Sequence, residues 1–261
     1  GSVVAIEPST GEILTLVSSP GIDVSKLASI NKFYAEIVSD PLKPMFNRAA
    51  MAPYPPGSVF KLVNGLIALQ EGVIDTTLTY PCHGGYTVGR GIACHSHPSP
   101  TNLTSSIMMS CNAYYANAFR RTMDNPAYPS VTAAFSKWKE YVESFGFGTK
   151  LGSDLPSEQA GVLPSTKLYD KIHGKNRWKS LSIISLSIGQ GEIGTTPLHL
   201  ANLAATIANR GYYFTPHMVK SAEDTTITAD YSQKHYNNVD PENFKKIIHG
   251  MYLTVYAHPG A

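Results

Sequence analysis

Ser58 and Lys61 stand three residues apart in the stretch Pro55-Pro56-Gly57-Ser58-Val59-Phe60-Lys61. On a helix, positions i and i+3 share a face, so this spacing predicts that the Lys61 ammonium reaches the Ser58 hydroxyl. A hydroxyl beside an amine that can take its proton is an activated nucleophile, suited to covalent acyl transfer. The structural alternative is plain: serine is a common helix N-cap, and a lysine one turn later is ordinary helix decoration. A second tripeptide, Ser110-Cys111-Asn112, lies further along the chain. Alone it is what a break between helices contains. Paired with S-x-x-K at this separation, S-x-N becomes specific, because the two motifs together form a known signature of serine acyl-transfer enzymes.

The surrounding sequence must position these groups. Two prolines stiffen the approach to Ser58, and Gly57 permits a backbone angle closed to other residues. Val59, Leu62, Val63, Leu66, Ile67 and Leu69 then recur at helical spacing as far as Gly72. Ser58 would open that helix, where free N–H groups and the positive dipole end favour a developing oxyanion. Leu103 to Met109 is helical, with Thr101 and Asn102 as candidate caps, and after the break at Ser110-Cys111-Asn112 the helix resumes from Ala113 to Arg121. Upstream, Val3–Ile6 and Glu12–Ser18 form a hairpin about Pro8-Ser9-Thr10-Gly11, and Lys32–Val38 is a short helix. Residues 73–100 lack periodicity and predict an irregular lobe. Downstream, Val131 to Phe145 is an amphipathic helix, and residues 146–166 form a loop system in which Asp154 and Glu158 serve as caps and turn formers. Leu181 to Ile188 is a buried strand or short helix, and Gly189-Gln190-Gly191-Glu192 is a turn feeding the next element, with a cleft-facing Gln190 as the alternative. Thr196-Pro197 starts a helix that contains His199 and is terminated at Gly211, and Asp240-Pro241-Glu242 opens another that runs to about Tyr256. Strands before and after a block of helices give an α+β class.

The 261 residues suffice for one large domain, or one domain with a lobe. Only 15% of them are charged, and the net charge of +2 is dispersed, with no arginine-rich stripe for nucleic acid. No apolar run is long enough to span a bilayer and no signal peptide is present, so the expectation is a domain whose targeting segment lies elsewhere. Cys82, Cys94 and Cys111 fall close together with His83, His95 and His97. These are the ligand types of a structural zinc site, with Cys82, Cys94 and Cys111 joined by His95 or His97. The alternatives are a Cys82–Cys94 disulfide or buried reduced thiols. Cys111, between Ser110 and Asn112, should point away from the cleft and towards the lobe.

Several longer matches accompany the two motifs: Ala5–Leu14, Pro44–Ala49, Tyr54–Lys61, Phe145-Gly146-Phe147-Gly148, Asp154–Glu158, and Gly189–Glu192 with Thr196-Pro197. In this order they resemble the transpeptidase domain of class B penicillin-binding proteins, most closely the elongation type, penicillin-binding protein 2. The resemblance covers most of the chain. It implies the α+β fold shared with serine β-lactamases, a helical lobe plus an antiparallel sheet, with residues 1–261 a partial domain and 72–102 an irregular Cys/His-rich region within it.

The resemblance further implies a D,D-transpeptidase of peptidoglycan that needs no cofactor. Ser58 is then the nucleophile, Lys61 the base, Ser110 the proton relay to the leaving amine, and Asn112 the group that binds the substrate amide and holds Lys61. Stem peptides ending in D-Ala-D-Ala are the implied substrates, β-lactams the implied inhibitors, and cell-wall elongation proteins the implied partners. The implied location is the periplasmic side of the inner membrane, with the anchor outside this chain. The family's K-[ST]-G motif does not occur in residues 1–261. That carries the expectation of a chain stopping short of the strand that bears it, which would be nearly inactive alone. Related elongation-type proteins are thought to hold a metal near the Cys/His stretch, with ligand types that differ from those here. A scaffold that only docks elongation partners, or a β-lactamase or β-lactam sensor, are the alternative functions.

Overall fold

The N-terminal alternation closes as the expected hairpin, β1 (Ser2–Ile6) against β2 (Ile13–Ser18), with Val3 opposite Val17 and Ala5 opposite Thr15. In this computed structural model residues 1–220 and 231–257 are described. Three short helices follow: α1 (Val24–Leu27), α2 (Ile30–Ser39) and α3 (Arg48–Met51), the last capped by the Asn47 side chain, which accepts from the Ala49 and Ala50 amides. A 3-10 turn, Gly57–Val59, then feeds α4 (Phe60–Gln70).

Residues beyond α4 form the irregular lobe, whose only named elements are the two-residue strands β3 (Gly85–Tyr86) and β4 (Ile92–Ala93), paired antiparallel. Asn102 caps α5 (Leu103–Met108) with a reciprocal capping box through Ser105. After the break come α6 (Asn112–Met123) and α7 (Val131–Ser144).

The helix α8 (Thr166–His173) was not legible in advance. Leu168, Tyr169 and Ile172 share one face of it, Ser165 caps the Leu168 amide and Gly174 ends it, but at eight residues these signals span only about two turns inside a Pro- and Gly-rich stretch. Leu181–Ile188 belongs to a 3-10 segment, Ser180–Ile188, which settles the strand-or-helix alternative in favour of the helix. The Thr196 cap and Pro197 begin α9 (Pro197–Ala208), which ends at Asn209 rather than at Gly211. Next come β5 (Tyr212–Phe214) and β6 (Lys234–Tyr236), paired with each other, and then α10 (Pro241–Tyr256), opened by Asp240 as expected. No helix among the described residues is long and apolar enough to cross a membrane.

The core is built around α4. Nine of its eleven residues are buried, Phe60, Lys61 and Val63–Leu69, because it is enclosed by α6, α7, α10 and the 3-10 segment. Phe60, two residues after Ser58, sits edge-on to Phe147 and Trp138, with ring centroids 5.6 and 6.2 Å apart, and Trp138 stacks on Phe135 at 5.4 Å. Burying a ring of this size stabilises by about 1.5–3 kcal/mol. The nucleophile-bearing turn is therefore fastened to the aromatic core by its nearest large neighbour.

Candidate active site

Ser58 is exposed in the middle of the 3-10 turn that begins α4. Gly57 has φ +61°, the left-handed region that a Cβ would strain, and its N–H donates to the Gly189 carbonyl at 2.9 Å. The Ser58 position is therefore fixed from two sides, by the Gly189 clamp before it and by the buried Phe60 after it. First-turn N–H groups, which lack intrahelical acceptors, surround the hydroxyl with positive potential.

Lys61 is only 3% exposed. Its Nζ donates to Asn112 Oδ1 at 2.5 Å, to the Ser110 carbonyl at 2.7 Å and to Ser110 Oγ at 3.0 Å. It also lies 5.7 Å from the centre of the Tyr115 ring. Burial pulls the ammonium down from its ordinary value to about 8, against a smaller opposing effect of the Cys94 and Cys111 sulfurs. The expected direct contact differs: the Ser58 hydroxyl makes no hydrogen bond among the described residues, and Lys61 is held by Ser110 and Asn112 instead. Such contacts commonly tighten only when substrate is bound.

The break that carries Ser110 has a physical basis. Ser110 adopts φ +49°, a conformation rare for a residue with a side chain, and so turns its carbonyl and hydroxyl together onto Lys61. Asn112 starts α6, and its side-chain amide donates to the Ala93 carbonyl at 2.7 Å while its Oδ1 accepts from Lys61. Ala93, which orients Asn112 through its main chain, had no side-chain signal by which a sequence could reveal it.

Between Ser110 and Asn112, Cys111 points away, fully buried, and caps α6 by accepting from the Tyr114 amide at 3.4 Å. The Cys82, Cys94, His97 and Cys111 donor atoms all lie within 4.8 Å of one another. The three thiols are free, so the disulfide alternative is not formed, and of the two candidate histidines His97 is the one brought in. Burial raises the Cys94 thiol, but the Asn112 amide and His97 more than offset this and hold it below its ordinary value. Four soft and borderline donors facing one point suit zinc: ligands at ~2.3 Å on a tetrahedron stand roughly 3.8 Å apart.

For Gln190 both of the expected alternatives apply. Gly189 and Gly191 make a turn, at φ +68° and +88°, and Gln190 lines the cleft alongside Asn112. His199 is a core residue, bonded to Thr196 and to the Thr149 carbonyl. Glu158 is a buried turn former that accepts from the Leu151 and Ser153 amides. Asp154 ties down the Met218 and Val219 amides.

Three comparisons bear on this arrangement. The family model described as the penicillin binding protein transpeptidase domain matches residues 1–261. The peptidoglycan D,D-transpeptidase MrdA of Acinetobacter baumannii is 31% identical over 283 residues, an overlap covering 100% of this chain and 38% of that protein. Pseudomonas aeruginosa PBP2 in complex with WCK 5153 superposes with a TM-score of 0.80 at 28% identity, over 99% of this chain and 56% of that one. Penicillin-binding protein A from M. tuberculosis, as an imipenem acyl-enzyme complex, gives a TM-score of 0.78 at 25% identity, over 97% and 57%.

Proposed function

The chain belongs to the penicillin-binding protein transpeptidase family, and from that premise we propose that it is the acyl-transfer domain of a peptidoglycan D,D-transpeptidase. The observation that carries this reading is the buried lysine, bonded at once to Ser110 and Asn112 and one helical turn beyond Ser58. Ser58 Oγ attacks the carbonyl of the penultimate D-Ala of a stem peptide. Its proton passes to neutral Lys61, and Ser110 relays a proton to the departing D-Ala amine. An amine from a second stem peptide then attacks the ester, regenerates the Ser58 hydroxyl and leaves a new cross-link. Asn112 holds Lys61 and offers its amide to the substrate backbone. The oxyanion falls to the Ser58 N–H and a second main-chain donor, each worth about 3–4 kcal/mol. β-Lactams acylate the same serine. The domain works outside the cytoplasmic membrane beside cell-wall elongation proteins.

The reaction needs no cofactor. Cys82, Cys94, His97 and Cys111 would hold a structural zinc, which would pin the lobe to the start of α6 and take no part in the chemistry. Metal analysis of the purified protein near one equivalent is the expected result, and none would remove the zinc.

Acylation is tested by incubating the protein with a fluorescent penicillin, resolving it on a denaturing gel and locating the adduct by mass spectrometry. An adduct on Ser58 that is absent from Ser58→Ala is expected. Labelling that survives Ser58→Ala, or an adduct on another residue, overturns the reading.

A further inference from the structure

A cleft of about 830 Å³ lies between the Cys/His lobe and the 3-10 segment; of the four motif residues it is lined by Asn112, and not by Ser58, Lys61 or Ser110. That is a peptide-sized space. Its walls are apolar at Ile92, Leu181 and Ile184, and three ionisable residues are among those that line it: Arg90, His173 and Glu192. Glu192 is already engaged, accepting the Tyr169 hydroxyl at 2.9 Å, and the His173 ring lies parallel to Tyr169 with centroids 6.3 Å apart. Arg90 alone of the three has no hydrogen bond, ion pair or ring contact among the described residues.

The way Arg90 is presented is specific. It sits at the tip of the β3–β4 hairpin between Gly89 and Gly91, whose φ values are +69° and +70°. The base of the hairpin is locked, because the Ala93 carbonyl accepts from Asn112 and the Cys94 sulfur accepts from the Asn112 amide at 3.3 Å. The arm is thus rooted on the asparagine that holds Lys61, and its exposed tip residue Arg90, without a side-chain partner among the described residues, lines both this cleft and a shallower depression formed by residues 83–93.

We propose that this arm is a specificity element: Arg90 pairs with a side carboxylate of an acidic peptide substrate whose backbone lies along the apolar walls. A guanidinium fork matches a carboxylate in two hydrogen bonds, which a solvated lysine does not reproduce. The proposal deepens the acyl-transfer reading and rests on it for the identity of the peptide. It also gives the irregular lobe a task at the site.

Titrating isotope-labelled protein with a synthetic stem pentapeptide bearing free side carboxylates, and with the same peptide amidated at them, tests this by amide shifts. Wild type is expected to prefer the acidic peptide by about fivefold. Arg90→Ala should bring that ratio to about one and Arg90→Lys to a value between, with the Ile92 and Ala93 amides shifting in the wild-type titration. Equal affinity for both peptides, no binding of either, or an unchanged ratio in Arg90→Ala overturns the proposal. Should Arg90→Ala fail to fold, the wild-type ratio and the position of the shifting amides still decide it. A carboxylate preference with the penicillin adduct on a residue other than Ser58 would remove the acyl-transfer reading and leave the Arg90 site standing.

Discussion

At Lys61, two requirements compete. A general base has to be neutral, and burial moves the ammonium towards neutrality by denying it water. The oxygens of Ser110 and Asn112 accept from it, which keeps the head group oriented whether or not it carries the proton in transit. With a value of about 8, roughly a tenth of the molecules hold the neutral amine at pH 7. The rate of Ser58 acylation should therefore rise about tenfold per pH unit towards 8 and level off above it, because the productive form is the deprotonated one. Labelling rates measured from pH 6 to 9.5 check this, and a flat profile would contradict Lys61 as the base. Lys61→Ala should lower the plateau rate by about 10²–10⁴-fold, since it removes proton transfer and empties a buried polar site.

The contact between elements that matters most for the site is between the turn before α4 and the end of the 3-10 segment. A Cβ on Gly189 would lie 2.2 Å from the Gly57 carbonyl oxygen and 2.8 Å from the Phe60 Cβ, at a φ of +68°. Only glycine lets these two backbones approach closely enough for the Gly57 N–H to reach the Gly189 carbonyl. The 3-10 segment is itself held by Asn64, whose amide donates to the Leu186 and Ser187 carbonyls while its oxygen accepts from the Trp138 indole. Gly189→Ala should cost about 1–3 kcal/mol of stability and slow Ser58 labelling, because relief of the overlap moves the nucleophile's turn. Thermal melting read beside labelling rate checks it. A melting point and a rate both equal to wild type would show that the approach is not needed.

Across the whole molecule, a core of helices around α4 meets an irregular lobe that contributes Ile74, Cys82 and Tyr86 to the same core. Beyond that packing, the lobe is joined to the helices by the Asn112 hydrogen bonds, the Arg120–Tyr86 hydrogen bond, the Tyr80–Thr101 bridge and the thiol and histidine cluster. A segment so poor in regular structure needs a cross-link to hold one shape. A strong chelator is accordingly expected to lower the melting temperature and to broaden the amide signals of residues 82–97 before those of α4, with one equivalent of zinc restoring both. No effect of chelation on protein shown to contain zinc would place the metal elsewhere.

The long elements were legible because each carries a local signal. The hairpin has its alternation, α4 its apolar period, α5, α9 and α10 their caps, and the family could be read from motifs in a fixed order. Ser58, Lys61, Ser110 and Asn112 could be singled out because S-x-x-K and S-x-N are spelled out in the chain. What the chain alone could not state is which distant groups meet. Lys61 faces Ser110 and Asn112 in place of Ser58, His97 and not His95 joins the thiols, and Arg90 lines the same cleft as Asn112. The reason is physical. Helical spacing, caps and glycines act over a few residues, whereas each of these contacts depends on where the chain returns after dozens of residues, and that is decided by how the buried faces of α4, α6 and the 3-10 segment pack.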